Sequence, residues 1–194
     1  MATTSRAEHT RARVLDAALR TFAEGGLAGL TIQAIRDRCG VSVGSLYHHF
    51  GNRDGIALAL YERSLLALLD RIQADALRTR SAKGLIRAMI VAYLDWVEAN
   101  VDAARFLFAA PAELDPLASP ALVQRKRARV LPLAQRALEH AAAGEVASLP
   151  PAYYELVVIG QVAETARRWL GGEPIDLGEA RTILARTAWR ALQP

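Results

Sequence analysis

Residues 31 to 50 read TIQAIRDRCGVSVGSLYHHF, and the second half of that run gathers groups suited to holding a polyanion. Tyr47, His48, His49 and Arg53 supply a phenol, two imidazoles and a guanidinium, the donor types that bind phosphate oxygens. Ser45 adds a short hydroxyl beside them. Gly44 lets the backbone approach a ligand closely, and Val43 suits contact with a thymine methyl. The pattern points to duplex DNA. Adjacent side chains on a helix point about 100° apart, and no nearby Cys or carboxylate completes a ligand set around His48 and His49. The pair therefore does not read as a metal site, and no cofactor is expected.

Such a cluster needs short helices to aim it. Val14, Leu15, Ala18, Leu19 and Phe22 fall on one face of a first helix that stops at Gly25-Gly26. Thr31 caps a second, short helix with Ile32, Ile35 and Cys39 on its apolar side. Gly40 suits a left-handed turn, and Ser42 caps the next helix. On that third helix Leu46 and Phe50 share the side turned to the first two. Gly44 and His48 lie opposite, flanked by Ser45 and Tyr47. Three short helices ending in a helix–turn–helix pair form a DNA-binding arrangement. Cys39, on an apolar face, reads as a small buried hydrophobe rather than a reactive thiol.

The rest also reads as helix, with no period-2 strand pattern, so the fold class is all-α. A long helix opens at Asn52 or Asp54 and carries Ile56, Leu60, Leu65, Leu66, Leu69, Ile72 and Leu77. Ser81 to Asn100 forms one helix and Asp102 to Ala110 a short one. Pro111, Pro116 and Pro120 mark a loop, since proline cannot continue a helix interior. Ser119-Pro120 opens a helix to about Ala143, in which Pro132 predicts a kink or break. Pro150-Pro151 opens the next helix, ended by Gly171-Gly172. Asp176 with Glu179 starts the last. The expected division is a DNA-binding domain over 1–54 and a second domain over 55–194.

Composition sets outer bounds. A hydrophobic fraction of 52% against 23% charged residues excludes a disordered chain. No apolar run reaches the roughly 18 residues of a membrane span, and the polar N-terminus shows no secretory signal. One cysteine suits a reducing, cytoplasmic setting. Seven arginines face five acids up to Asp54, whereas 17 basic residues face 15 acids beyond it, so the first part is the more basic per residue. No nucleophile–base pair, phosphate-binding glycine loop or metal-spaced cluster suggests an enzyme.

From Arg11 to about Leu58 the chain resembles the TetR/AcrR family of transcriptional regulators. The resemblance runs through TRARVLDAALRTFAEGG, LTIQAIRDRCGVSVGSLYHHF and GNRDGI, and G-V-S-x-G-S-L-Y-H-H-F is its most specific part. It implies an all-α homodimer of about nine helices, with an N-terminal DNA-binding domain and a divergent C-terminal domain for ligand and dimerisation. By position, it implies that Thr31 and Tyr47 meet phosphates and that Gln33 reads a base. Val43, Gly44 and Ser45 would face the major groove, His48 and His49 would approach the backbone, and Arg53 replaces the usual lysine. Two residues depart from the pattern. Arg36 stands where a small alanine is usual and must reach outward or alter the helix crossing. Val43 replaces a residue that is often polar, leaving more of the reading to Gln33 and DNA shape.

In the second domain, Ile86, Ile90 and Val97 centre the apolar stripe of the Ser81–Asn100 helix, with Met89, Tyr93, Trp96 and Asn100 along one edge. Phe106 and Phe108 follow. These aromatics suit either a plain core or the lining of a ligand cavity; the resemblance favours a cavity for a mostly apolar effector, with Tyr154 as a further lining residue. Leu156, Ile159, Gly160, Ala163 and Ala166, with Ile183, Leu184 and Ala188, form the expected dimer interface. Arg125-Lys126-Arg127-Arg129 reads as a solvated helix face. The whole suggests a ligand-responsive repressor that binds a palindromic operator as a dimer. The alternative is an architectural DNA-binding protein of the same fold without an effector.

Overall fold

The computed structural model describes residues 2–110, 114 and 119–194, and its described elements are helices. They are α1 (Ala2–Gly29), α2 (Ile32–Cys39), α3 (Val43–Phe50), α4 (Arg53–Ala76), α5 (Ala82–Ala99) and α6 (Val101–Ala109). Then come α7 (Pro120–Ala142), α8 (Pro151–Glu155), a π-helical turn (Leu156–Gly160), α9 (Gln161–Leu170) and α10 (Leu177–Leu192). α8, the π turn and α9 run on without interruption, so the all-α expectation of about nine helices is met among the described residues. Pro111 and Pro116 of the expected loop lie outside those residues.

Local chemistry sets most of the boundaries. α1 is broken at Gly26, whose φ of 61° and ψ of −162° belong to a region open essentially to glycine alone. Thr31 caps α2 by accepting from the Ala34 amide, and Ser42 caps α3 by accepting from the Ser45 amide. Gly40 holds the left-handed conformation between them, at φ 65° and ψ 17°. Asn52 accepts from the Gly55 amide at 2.8 Å and so opens α4. Asp176 accepts from the Glu179 amide at the head of α10. Pro132, expected to kink or break its helix, sits inside α7, which continues through it to Ala142.

The chain packs as two compact units, Met1–Leu65 with Asp102–Ser119, and Leu66–Val101 with Pro120–Pro194. The boundary expected at Asp54 falls in the first turn of α4, and the first unit also takes in α6. Its core joins Val14, Leu15, Ala18 and Phe22 of α1 to Ile35 and Cys39 of α2, Leu46 of α3, and Ile56 and Leu60 of α4. Phe106 of α6 completes it, with no exposed surface and its ring edge-on to Phe22 at a centroid distance of 4.9 Å. Cys39 is buried among these side chains.

The second unit is organised on α5, which packs against α10, α9, the π turn and α7. Leu85, Ile86, Ile90, Leu94 and Val97 of α5 are buried with Val158, Val162, Ala188 and Leu192. Arg181 of α10 ties down the polar edge of α5, donating to Asp95 at 2.7 Å and to Glu98. At the π turn the Gln161 side-chain amide donates to the Val157 carbonyl, supplying a partner where the helical ladder is shifted. Among the described residues no helix is long and apolar enough to cross a membrane.

Candidate nucleic-acid interface

The site is a surface built on α2 and α3, held from behind by α1 and α4. Leu46, only 1% exposed, turns the inner side of α3 into the core, while Phe50 lies partly buried against it. Arg11 of α1 lays its guanidinium over the Phe50 ring at 4.8 Å. α2 is fastened at two points. Arg13 donates to the Cys39 carbonyl at 2.7 Å, where the negative end of the helix dipole attracts a cation. Arg38 forms a two-pronged pair with Glu24 of α1, and that hydrogen bond holds the Glu24 carboxyl below the usual carboxylate range. Thr31, besides capping α2, is exposed at its N-terminus.

With the inner sides pinned, the outer residues of α3 are Gly44, Tyr47 and His48, all exposed. Tyr47 shows 51% of its surface. Val43, Ser45 and His49 are half-buried, and the His48 and His49 rings meet edge-to-face at 5.3 Å. A Cβ added at Gly44 would meet no atom within 4 Å. Gly44 is therefore not demanded by internal packing.

A cleft of about 430 Å³ opens beside α3, lined by Arg6, Ala7 and Thr10 of α1 with Val41, Ser42, Ser45 and His49. Its lining offers guanidinium, hydroxyl and imidazole groups and includes no carboxylate, which suits an anion such as a phosphate. Arg6 and Thr10 were not among the residues expected here. The signal for them was the basic N-terminus, whose helical register places both beside α3.

Two expected residues have different surroundings from those foreseen. Arg53, expected to face phosphate, donates from Nε to the Leu30 carbonyl at 3.0 Å and from Nη2 to the Leu27 carbonyl at 2.8 Å, and pairs with Asp54. It binds the Leu27 and Leu30 carbonyls after the Gly26 break and so ties α4 to the end of α1. Arg53→Met should accordingly lower the unfolding free energy by about 1–3 kcal/mol, since two carbonyls lose a charged donor. Urea denaturation would measure this, and the salt slope of DNA binding should stay unchanged. Arg36 reaches outward, 41% exposed, and donates to Asp37 through Nε at 3.0 Å and Nη2 at 2.6 Å. Gln33, exposed one turn before Asp37, donates to the same carboxylate at 2.9 and 3.2 Å.

The candidates for an effector cavity are dispersed. Phe106 belongs to the core of the first unit, and Phe108 is a half-buried neighbour on α6. That is a correction, because α6 packs with the DNA-binding helices. Tyr93 and Trp96 are each only 7% exposed within α5, and Met89 is half-buried on the same helix. Asn100 is exposed and closes α5, donating from its side chain to the Trp96 carbonyl at 2.8 Å. The Tyr154 hydroxyl is engaged by the preceding loop, donating to the Ala147 carbonyl at 2.6 Å and accepting from the Leu149 amide at 3.1 Å.

Of the expected interface residues, Leu156 is 63% exposed and Ile183 40%. Ile159, Gly160, Ala163 and Leu184 are half-buried. Ala166 and Ala188 are fully buried within the single chain, so their small side chains pack in its core.

Comparison with known proteins agrees with this geometry. The family model described as bacterial regulatory proteins, tetR family, matches residues 14–60, a span covering most of α1, all of α2 and α3, and the start of α4. The HTH-type transcriptional regulator BetI of Paraburkholderia phytofirmans is 38% identical over 96 residues, covering 50% of this chain and 46% of that protein. The chain thus spans about half the length of the curated relatives it matches. Its fold is shared with a TetR family transcription regulator from Marinobacter aquaeolei VT8, at TM-score 0.78 and 17% identity over 100% of this chain and 99% of that one. It is shared too with the fatty acid degradation regulator FadR from Bacillus halodurans, at TM-score 0.75 and 17% identity over 91% and 96%. Residues 14–60 thus form a segment similar to the tetR family of bacterial regulatory proteins, set in an all-helical fold shared with these solved structures.

Proposed function

We propose that the protein is a DNA-binding transcriptional repressor that acts as a homodimer on a palindromic operator and is released by a small, mostly apolar effector. The observation that carries this reading is the outer face of α3, where Gly44, Tyr47 and His48 are exposed while Leu46 anchors the helix from inside. A helix so held can enter the major groove, which is wide enough to admit it. Thr31, Tyr47, His48 and His49 would contact phosphates, joined by Arg6 and Thr10 along the cleft. Gln33, Val43, Gly44 and Ser45 would face base edges.

Two copies placing α3 in successive major grooves need a spacing of about 34–36 Å. The exposed Leu156 and Ile183, with Ile159, Gly160, Ala163 and Leu184 beside them, are the surface we assign to the second copy. Binding of an effector near Met89, Tyr93 and Trp96 would favour a dimer whose spacing no longer fits the operator. The loss of DNA affinity would equal the effector's preference for that state. Cytoplasmic action follows from such a role.

A mobility-shift titration tests the contact assignment. The Tyr47→Ala, His48→Ala double variant should bind the operator about 10–100-fold more weakly, with a shallower dependence on salt because fewer phosphates are engaged. Unchanged affinity and slope would remove these residues from the interface.

A further inference from the structure

Gln33, Arg36 and Asp37 form a cluster on the outward face of α2 in which two donors converge on one carboxylate. Gln33 Nε2 lies 2.9 Å from Asp37 Oδ2 and 3.2 Å from Oδ1. Arg36 adds Nε at 3.0 Å and Nη2 at 2.6 Å, both on Oδ1. We infer that Asp37 is a positioning residue that fixes which end of the Gln33 amide faces DNA, so that the protein selects adenine over guanine at the base Gln33 meets. The inference rests on the reading that α2 and α3 engage the major groove.

An ionised carboxylate only accepts hydrogen bonds, whereas an amide has a donating nitrogen and an accepting oxygen. Asp37 can therefore hold the nitrogen of Gln33 and never its oxygen. The Arg36 hydrogen bond, with a further contribution from Gln33, keeps the Asp37 carboxyl below its ordinary range and hence ionised. Arg36 also supplies the positive charge that makes a carboxylate tolerable beside phosphates, which gives this arginine a place on α2 where a small residue would otherwise serve. With one amide hydrogen given to Asp37, Gln33 presents its second hydrogen next to Oε1, a donor beside an acceptor.

Adenine offers the complement in the major groove, an N7 acceptor beside an N6–H donor. Guanine offers two acceptors, N7 and O6, so Oε1 would confront O6 with no proton between them. Released from Asp37, the amide can turn about its terminal bond and give both hydrogens to guanine. The carboxylate thus converts an ambidextrous side chain into a one-way reader. Gln33 and Asp37 are exposed, so replacing either leaves the core intact.

The test uses the full chain as wild type, Q33A, D37A, the double variant and D37E, each checked for folding by circular dichroism. Each protein selects from a randomised duplex pool, and affinities are then measured with adenine or guanine at every selected position. The wild type should prefer adenine at one position per half-site by at least about fivefold. Q33A and D37A should each bring that preference to within about twofold while still binding DNA, with no further loss in the double variant. D37E keeps a carboxylate within reach and should restore the preference. If D37A retains the wild-type preference where Q33A has lost it, Asp37 does not position the amide, although Gln33 still reads a base. If neither variant changes any position, Gln33 meets no base and the inference falls while DNA binding stands. Failure of the wild type to select any duplex overturns the functional reading itself.

Discussion

Phe106→Ala should destabilise the first unit by about 3–5 kcal/mol, the range for removing a large buried aromatic side chain. Phe106 has no exposed surface, and its ring meets Phe22 edge-on in the core that carries the DNA-binding helices. Truncation removes that aromatic pair and leaves a void that Leu30, Ile56 and Leu60, all fully buried, can fill only by shifting. Thermal unfolding followed by circular dichroism would record a lower midpoint. DNA affinity should fall with it, because the relaxed core no longer fixes the back of α3. A filling substitution, Phe106→Leu, should recover much of the stability. A residue distant in sequence from the helix–turn–helix pair is thereby expected to behave as part of it.

Gly44→Glu should have the opposite character, leaving the fold intact and abolishing DNA binding. The new Cβ meets nothing within 4 Å, so the side chain has room. Glycine is about 0.5–1 kcal/mol worse than an ordinary residue in a helix interior. A carboxylate in the first turn of α3 is also favourable to the helix dipole. Stability should therefore hold or rise slightly. The same carboxylate would project from the surface assigned to the major groove, where closeness to phosphates and loss of near approach cost several kcal/mol. Operator affinity should drop by at least about 100-fold, equivalent to roughly 2.7 kcal/mol. Paired measurements of midpoint and affinity on this variant separate interface from scaffold. Retained affinity would mean that the outer face of α3 is not where DNA lies.

The contrast between these two residues shows what the sequence could disclose. The exposed placement of Gly44 was legible because it depends on neighbours within the same helix: the cap at Ser42, the anchor at Leu46 and the alternation of faces between them. The boundaries at Thr31, Gly40, Ser81 and Asp176 were legible for the same reason, each being a side chain or glycine acting within one turn. Phe106 was read toward the wrong unit, because its partner Phe22 lies on a helix remote in sequence and periodicity says nothing about which helix a stripe will meet. The carbonyl partners of Arg53 were not legible either: its basic character suggested phosphate, while the Gly26 break left the Leu27 and Leu30 carbonyls within its reach. Arg36 was recognised as needing an outward path, but Asp37 as its terminus emerged only from the arrangement of three side chains on α2. Ala166 and Ala188 had the small size of interface residues, a property equally suited to the close packing of α9, α10 and α5 that buries them.

Dimethyl sulfate protection tests the central claim, that α3 reads DNA from the major groove, because the reagent methylates guanine at N7 in the major groove and adenine at N3 in the minor groove. On duplexes selected by the purified protein, two patches of N7 protection are expected, about one helical turn apart centre to centre. Gly44→Glu should abolish both. Protection confined to adenine N3, or N7 protection that persists in the Gly44→Glu variant, would contradict the account.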